Sequence, residues 1–271
     1  MLVFLKLGGS LITDKNTAHT AQNDTLRRLA DEIKKAHDEC PGLKILLGHG
    51  SGSFGHIPAK KYGTRNGVKS SVQWQGFAEV YREARALNEI VLNWLFDADL
   101  PVMSFPPSSA VMAADGKIAA WDIQPLQSAL DAGLIPLIQG DTCFDTVRGG
   151  TILSTEDLFF HLAPLLNPKR ILLAGIEAGV WADYPKNSRL IKEICPANFA
   201  SFAVHVKGSA AADVTGGMAD KVQQMLALVT HQPELEAVIF SGQIPGEVLR
   251  ALTGQLVGTR ICTDQAIQTG E

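Results

Sequence analysis

Residues 44–56, KILLGHGSGSFGH, are the stretch from which the fold is predicted. Residues 44–47 are typical of a short buried strand, and glycine then recurs at positions 48, 50, 52 and 55. Glycine allows a backbone to turn sharply or to approach a ligand closely. A glycine loop that leaves a strand exposes backbone N–H groups and forms a concavity suited to phosphate. His56 ends the loop and places a titratable donor beside the bound group.

Two other interpretations of this loop stay open. Residues 50–55, GSGSFG, fit the G-x-G-x-x-G fingerprint of dinucleotide sites, which belongs after the first strand of its unit. Here the motif follows an earlier strand and helix, and Glu79, the acidic residue at about the right distance, lies inside a helical pattern. The alternatives to a phosphate loop are therefore a nicotinamide or flavin site and a structural turn with a surface histidine.

The composition indicates an ordinary globular chain. It has 271 residues, of which 46% are hydrophobic, enough for one large α/β domain or two small ones. The net charge of −4 argues against a broad nucleic-acid surface, so phosphate binding must come from local cations. The four cysteines are scattered, and no apolar run approaches the length of a membrane span. We expect a cytoplasmic protein that binds neither nucleic acid nor membrane.

Strand and helix patterns alternate along the chain. The predicted strands are residues 2–7, 44–47, 101–105, 134–139, 170–174, 235–240 and 257–262. A first helix is capped by Asn23 or Asp24, and helical spacing recurs over residues 77–94, 125–132, 156–166, 218–230 and 245–252. Residues 142–153 are predicted to form a hairpin, 57–73 a mobile flap, and 176–205 an irregular segment with hairpin-like pieces.

This alternation predicts an α/β fold: an open, mostly parallel twisted sheet sandwiched between helices. No composition break marks a linker, so we interpret residues 1–271 as a single domain with two lobes, 1–170 and 171–271. Ligands of open sheets bind outside the carboxyl ends of the strands. The loops after the strands that end near residues 7, 47 and 139 are expected to converge there.

Lysines accompany the glycine loops. Lys6 ends the first strand, directly before the GGS of residues 8–10, where a buried lysine either meets a partner or reaches solvent. Lys15, just past this loop, is either a ligand or a plain surface lysine. Lys221 follows the glycine pair 216–217 at a predicted helix start. Backbone N–H groups, helix dipole and ammonium would there meet one anion.

Acidic candidates are fewer. Asp141 follows a predicted strand, where it either orients Lys6 and Lys15, meets a metal-bound water, or completes a turn. The STED run at residues 154–157 fits a capping box, which does not exclude contact with a ligand. Asp183 either shapes a nucleotide-base loop or belongs to a turn.

This inventory favours phosphoryl transfer to an acceptor that is itself a phosphate. No G-x-x-x-x-G-K-[ST] motif is present, which excludes an ordinary Walker site. Phosphoryl transfer needs mainly positioning and neutralisation of charge. Because a phosphate monoester has a second pKa of about 6, its oxygen is already anionic at neutral pH and no general base is required. Lysines, Mg²⁺ and a hydrogen-bonding histidine would offset the repulsion between this dianion and ATP.

Segments throughout the chain resemble the amino acid kinase superfamily and, within it, the isopentenyl phosphate kinases. They are KLGGSLITDK at residues 6–15, GHGSGSFGH at 48–56, QGDTCFD at 139–145, ILSTEDL at 152–158 and DVTGGMADK at 213–221. The most specific matches to the family are SFGH at residues 53–56 and the lysine of ITDK at residues 12–15. The resemblance implies ATP-dependent phosphorylation of isopentenyl phosphate to isopentenyl diphosphate in isoprenoid biosynthesis, with ATP and Mg²⁺ as cofactors, in a homodimer.

The resemblance also implies roles for individual residues, with the acceptor in lobe 1–170 and the nucleotide in lobe 171–271. The catalytic residues are His56, which holds the acceptor phosphate, Lys15 and Lys221, which bridge the transferring phosphoryl group, Lys6, which lines the ATP phosphates, and Asp141, which organises the lysines. ATP is expected at Lys6, Gly8, Gly9, Ser10, Ser51, Asp183, Gly216, Gly217 and Lys221. The acceptor is expected at Gly50, Gly55, His56 and Gly150. No residue is assigned to a metal ion.

The sequence departs from the family pattern in two places. Ser51 replaces a loop glycine and adds a side chain close to the phosphates. Residues 174–181, AGIEAGVW, replace the usual T-D-x-D-G-V-Y, so the nucleotide-base contacts around residues 174–183 stay open.

Acceptor identity also stays open. The alternatives are a related kinase for another small phosphate or a phosphonate such as fosfomycin, and a silent nucleotide-binding regulator on the same fold. We expect Phe77, Val80 and Tyr81 to form the wall of the acceptor pocket, where apolar side chains would favour an isoprenoid tail.

Overall fold

The computed structural model describes residues 1–207 and 217–264. Its strands are β1 Leu2–Leu7, β2 Lys44–His49, β3 Val102–Ser104, β4 Val111–Ala114, β5 Lys117–Trp121, β6 Ile135–Gln139, β7 Asp141–Asp145, β8 Gly149–Leu153, β9 Arg170–Gly175, β10 Val180–Trp181, β11 Leu190–Ile191, β12 Glu193–Ile194, β13 Glu236–Ser241 and β14 Thr259–Ile261. Its helices are α1 Gly9–Ile12, α2 Asn23–Glu39, α3 Gly52–Tyr62, α4 Ser71–Asp97, α5 Gln124–Asp131, α6 Thr155–Leu166, α7 Pro196–Lys207, α8 Met218–His231 and α9 Glu247–Leu252. None of the helices in these ranges combines the length and apolar character that crossing a bilayer requires.

Eight strands form the central sheet, in the order β12-β14-β13-β9-β1-β2-β6-β3. The pairs from β13 to β3 are parallel, whereas β14 runs antiparallel to β13. β1 lies between β2 and β9, and Leu7 near its end is in register with His49 and Ala174. The predicted mostly parallel sheet is confirmed. The ends of β1, β2, β6, β9 and β13 lie at one edge, where the glycine loops begin.

Helices bury both faces of this sheet. On β1, Val3 and Leu5 belong to the core under α2, α4 and α9, whereas Phe4 belongs to the core under α5, α6 and α8. The ring of Phe4 lies 5.0 Å from that of Phe159 on α6. Because side chains alternate between the faces of a strand, Lys6 lies on the same face as Phe4. The side chain of Lys6 therefore points towards α6.

A second sheet of four strands, in the order β5-β4-β7-β8, is built from two hairpins. The predicted β7–β8 hairpin is present, and glycine accommodates the φ of +79° at Gly149. The β4–β5 hairpin was not predicted, because its strands are only four and five residues long. A single residue, Gly140, separates β6 from β7 and carries the chain from the central sheet to the second one.

Three local predictions were wrong. Residues 57–73 are not a flap, because α3 continues to Tyr62 and a 3₁₀ turn, Thr64–Asn66, follows before α4 begins. The approach of Gly76 to the ring of Tyr62 packs α3 on α4, and this contact stabilises a helix whose glycines and proline hid it in the sequence. Residues 176–205 contain a predicted hairpin-like piece, the antiparallel pair β10–β11, but they also include most of helix α7, which was not predicted. Gln22, and not Asn23 or Asp24, is the N-cap of α2.

Candidate active site

The glycine loops after β1 and β2 meet backbone to backbone. The N–H of Gly50 donates a hydrogen bond to the carbonyl oxygen of Leu7 at 3.1 Å. A Cβ added to Gly9 would overlap the backbone nitrogen of Gly52, and Gly52 itself has a φ of +49°. Any larger residue at this contact would push the two loops apart, so their glycines are a condition for the site.

The loops line a cleft of about 130 Å³ at the carboxyl edge of the sheet. The predicted residues in its lining are Lys6, Gly8, Gly9, Ser10, Gly50, Ser51, His56 and Lys221. Lys15 lies in an adjoining pocket that shares Ser10 and His56 with the cleft. Gly217 is the N-cap residue of α8, whereas Gly216 lies outside the described residues. The structure therefore gathers lysines from β1 and α8 around one opening.

Lys6 forms a buried ion pair with Glu156, whose side chain is only 6% exposed. Burial alone would raise the pKa of Glu156, but the ammonium groups of Lys6 and Lys221 hold it below its ordinary value. An ionised carboxylate therefore lies within electrostatic reach of both lysines. We expected Asp141 to organise the lysines, yet the carboxylate paired with Lys6 is that of Glu156.

Glu156 owes its position to the start of α6. The predicted capping box is present: the Oγ of Ser154 accepts from the N–H of Asp157 at 3.1 Å, and the Ser154 N–H donates to Asp157 Oδ2 at 2.8 Å. The hydroxyl of Thr155 donates to the carbonyl oxygen of His49 at the end of β2, at 2.7 Å. The sequence did not single out Glu156 because capping accounted for the whole acidic run. The capping box of Ser154 and Asp157 coexists here with the ion pair of Glu156.

Asp141, at the start of β7, ties three chain segments together. Its carboxylate accepts hydrogen bonds from the N–H of Thr142 at 2.8 Å, the side-chain amide of Gln139 at 3.2 Å and the N–H of Ser108 at 3.3 Å. Burial raises the pKa of Asp141 to about 6, although the hydrogen bonds from Ser108 and Thr142 oppose the shift. Its contacts are those of a buried structural carboxylate at the rim of the site.

A small cavity adjoins the cleft behind His56 and is mostly apolar. Its side-chain lining comprises Ser51, His56, Ala59, Arg65, Val80, Ala84, Asp141 and Ile152, and Gly55 and Gly140 contribute backbone. His56 lines this cavity, the main cleft and the pocket that contains Lys15. The histidine thus lies where a mostly apolar cavity meets the cleft that contains Lys6 and Lys221.

Other predicted residues lie elsewhere. Of the expected pocket wall, Val80 lines the cavity, whereas Tyr81 accepts a hydrogen bond from Arg85 at 3.2 Å outside it. Phe77 packs against Gly150, where an added Cβ would come within 2.8 Å of its ring. Neither Phe77 nor Gly150 lines the cavity.

Asp183 lies in the loop between β10 and β11. Its carboxylate accepts hydrogen bonds from the N–H groups of Ser188 and Arg189, both at 3.1 Å, which close a turn. It does not line the cleft, whereas Glu177, which the sequence did not single out, does. Glu177 accepts a hydrogen bond from the indole N–H of Trp181 at 2.9 Å.

The carboxylates of the cleft do not form a metal cage. Within residues 1–207 and 217–264, no group of three or more His, Cys, Asp or Glu side chains is arranged to hold a metal ion. Mg²⁺ that accompanies a nucleotide is usually bound through phosphate oxygens, water and one or two carboxylates. The two cleft carboxylates, Glu156 and Glu177, fit that kind of binding.

The chain is similar to known proteins over nearly its whole length. The model of the amino acid kinase family matches residues 1–241. The isopentenyl phosphate kinase of Methanocaldococcus jannaschii is 35% identical over 267 residues, which cover 96% of this chain and 98% of the relative. The isopentenyl phosphate kinase of Methanothermobacter thermautotrophicus is 32% identical over an alignment that covers 96% of this chain and 98% of the relative. A solved structure described as isopentenyl phosphate kinase superposes with a TM-score of 0.81 at 30% identity, over 96% of this chain and 100% of the other.

The contact between the glycine loops predicts a difference between two alanine variants. Gly9→Ala should lower the free energy of unfolding by about 1–3 kcal/mol, because its methyl group overpacks the contact with Gly52. Gly175→Ala is the matched control, since it lines the same cleft and a Cβ there meets nothing within 4 Å. Urea unfolding followed by circular dichroism compares the two. Equal stability of both variants would contradict this account of the loops.

The buried carboxyl of Asp141 predicts a pH-dependent effect on stability. Because its pKa rises from 3.8 to about 6, the folded protein keeps a proton that the unfolded chain loses, so wild-type stability falls as the pH rises through this window. Asp141→Asn does not titrate. Its free energy of unfolding should therefore gain about 2 kcal/mol relative to the wild type between pH 4 and pH 7. Urea unfolding at several pH values measures this, and a constant difference would refute it.

Proposed function

The chain belongs to the amino acid kinase family and, within it, to the isopentenyl phosphate kinases, and we propose that it transfers a phosphoryl group from ATP to isopentenyl phosphate. The products are isopentenyl diphosphate and ADP. The observation that carries the proposal is the position of His56 between the lysine-bearing cleft and the mostly apolar cavity. An acceptor with a phosphate head and a short hydrocarbon tail matches that junction.

At the donor end, the triphosphate of ATP lies along the first glycine loop and the start of α8. Gly8 and Gly9 allow the backbone to approach the phosphate oxygens, and Ser10 adds a hydroxyl group at the cleft. Lys6 and Lys221 neutralise the triphosphate, and the carboxylate of Glu156 lies within electrostatic reach of both lysines. Glu156 thereby takes the organising role that we expected of Asp141.

At the acceptor end, His56 donates a hydrogen bond to the acceptor phosphate and Lys15 approaches from the adjoining pocket. The hydrocarbon tail enters the cavity between Val80 on α4 and Ile152 on β8. Ala84, one helical turn beyond Val80, lines the same cavity with a small apolar side chain. Apolar walls of this kind exclude water from the tail and favour a hydrocarbon over a sugar.

The chemical step follows from the charges. The acceptor oxygen is already anionic, so it attacks the γ-phosphorus of ATP without a general base, while the bond from that phosphorus to ADP breaks. Lys15 and Lys221 stabilise the transferring phosphoryl group and Lys6 the departing diphosphate. Mg²⁺ would supply further neutralisation of phosphate charge when bound with ATP, and Glu156 and Glu177 are the cleft carboxylates that would help to hold it. A homodimer and a cytoplasmic location stay predictions of the sequence.

The proposal is tested by ATP consumption over a panel of acceptors. We expect turnover with isopentenyl phosphate, weaker turnover with dimethylallyl phosphate, and none with fosfomycin, because the phosphonate lacks a matching hydrocarbon tail. Preference for fosfomycin would support a phosphonate kinase instead. ATP binding without turnover of any acceptor would support a silent regulator. Either outcome would refute the proposal.

His56→Ala should lower kcat/KM for isopentenyl phosphate by about a hundredfold or more, because the acceptor phosphate loses its hydrogen-bond donor at the junction. The affinity for ATP should change less than about twofold, since the donor phosphates lie at the lysine-bearing end of the cleft. His37→Ala on α2, outside the cleft lining, is the control and should behave like the wild type. Steady-state kinetics and calorimetry measure both quantities. Near-normal turnover in His56→Ala would remove His56 from the mechanism.

A further inference from the structure

Arg65, which the sequence did not single out, lines the small cavity behind His56. It lies in the 3₁₀ turn that follows α3, the helix that carries His56. Among the described residues of the cavity lining, it is the one lysine or arginine. A permanently charged side chain therefore lines this small cavity together with the carboxyl group of Asp141.

The contacts of Arg65 fix its position. Its Nη2 donates to Oδ2 of Asp157, in the first turn of α6, at 3.2 Å. Its carbonyl oxygen accepts a hydrogen bond from the hydroxyl of Thr151 on β8 at 3.0 Å. The guanidinium is therefore held on one side by α6, the helix whose Glu156 pairs with Lys6 in the adjoining cleft.

The second terminal nitrogen of the guanidinium, Nη1, makes no hydrogen bond within the described part of the chain. Nη1 of Arg65 is buried and has no hydrogen-bond partner in residues 1–207 and 217–264. A buried donor atom without a partner costs free energy, and folded proteins usually complete it with a water, an ion or a ligand. The shape of the group indicates the ligand, because the planar fork of guanidinium matches the oxygens of phosphate.

We propose that Nη1 of Arg65 donates a hydrogen bond to the phosphate of the acceptor, beside His56. Arg65 and His56 together then select a phosphate monoester dianion. The positive charge also offsets the repulsion between this dianion and the carboxyl group of Asp141, which lines the same cavity. This inference rests on the proposed function for the location of the acceptor and adds the residue that recognises its charge.

Binding measurements test the proposal with the nucleotide site filled by a non-hydrolysable ATP analogue. Arg65→Gln should weaken both inorganic phosphate and isopentenyl phosphate by about ten- to a hundredfold, because the lost contact is to the phosphate that both probes share. Arg65→Lys, which keeps the charge and loses the fork, should lie between it and the wild type. Arg85→Gln, on the outer side of α4 where it bonds Tyr81, is the matched control and should leave both affinities unchanged.

A second variant separates binding from positioning. Asp157→Asn weakens the ion pair with Arg65 but keeps an oxygen for the capping box of α6, so it should change phosphate affinity less than threefold. Equal losses in Asp157→Asn and Arg65→Gln would mean that Arg65 acts only through α6 and would overturn the proposal. So would unchanged phosphate binding in Arg65→Gln, or a loss confined to isopentenyl phosphate. Inorganic phosphate reports on Arg65 even if another phosphorylated molecule is the natural acceptor, so failure of the proposed function is recognised separately.

Discussion

The buried ion pair between Lys6 and Glu156 is the contact on which the cleft depends. A lysine in the central strand of a covered sheet needs a carboxylate beside it, because a lone buried ammonium would be very costly. The pair connects the middle of the sheet with the first turn of α6. The capping box and Thr155 hold that turn against the end of β2. One electrostatic requirement therefore sets the relative positions of the elements that line the cleft.

A buried histidine, His49, lies beneath the glycine loop that follows β2. His49 is fully buried, with Nε2 3.0 Å from Oδ1 of Asn88 and Nδ1 3.1 Å from the carbonyl oxygen of Gly50. Burial lowers the pKa of His49, and the charge of Lys6 adds to this effect. Backbone contacts and the buried imidazole of His49 thus support the glycine loop. The charge of the site is concentrated in the lysines and their carboxylate, where a phosphate would meet it.

Most of the elements could be predicted from the sequence, because their signals are local. The strand that ends at His49 and the capping box at Ser154 were found by apolar runs and cap chemistry. Helix α3 was missed because its glycines oppose helix formation, and packing against α4 outweighs that propensity. Arg65 was missed with it, since it lies in the segment that we had predicted to be a flap.

The sequence by itself determined the class of fold and the kind of chemistry: glycine loops after buried strands, lysines beside them, and a histidine at the end of one loop. These features depend on residue type and short spacing, so they need no knowledge of the fold. Only the tertiary structure decided which charges meet, such as Glu156 with Lys6 and Arg65 with Asp157, 92 positions further along the chain. Which charged residues pair is set by the face of the strand on which each side chain lies and by the register of the helix packed over that face. A local sequence pattern does not specify either of these.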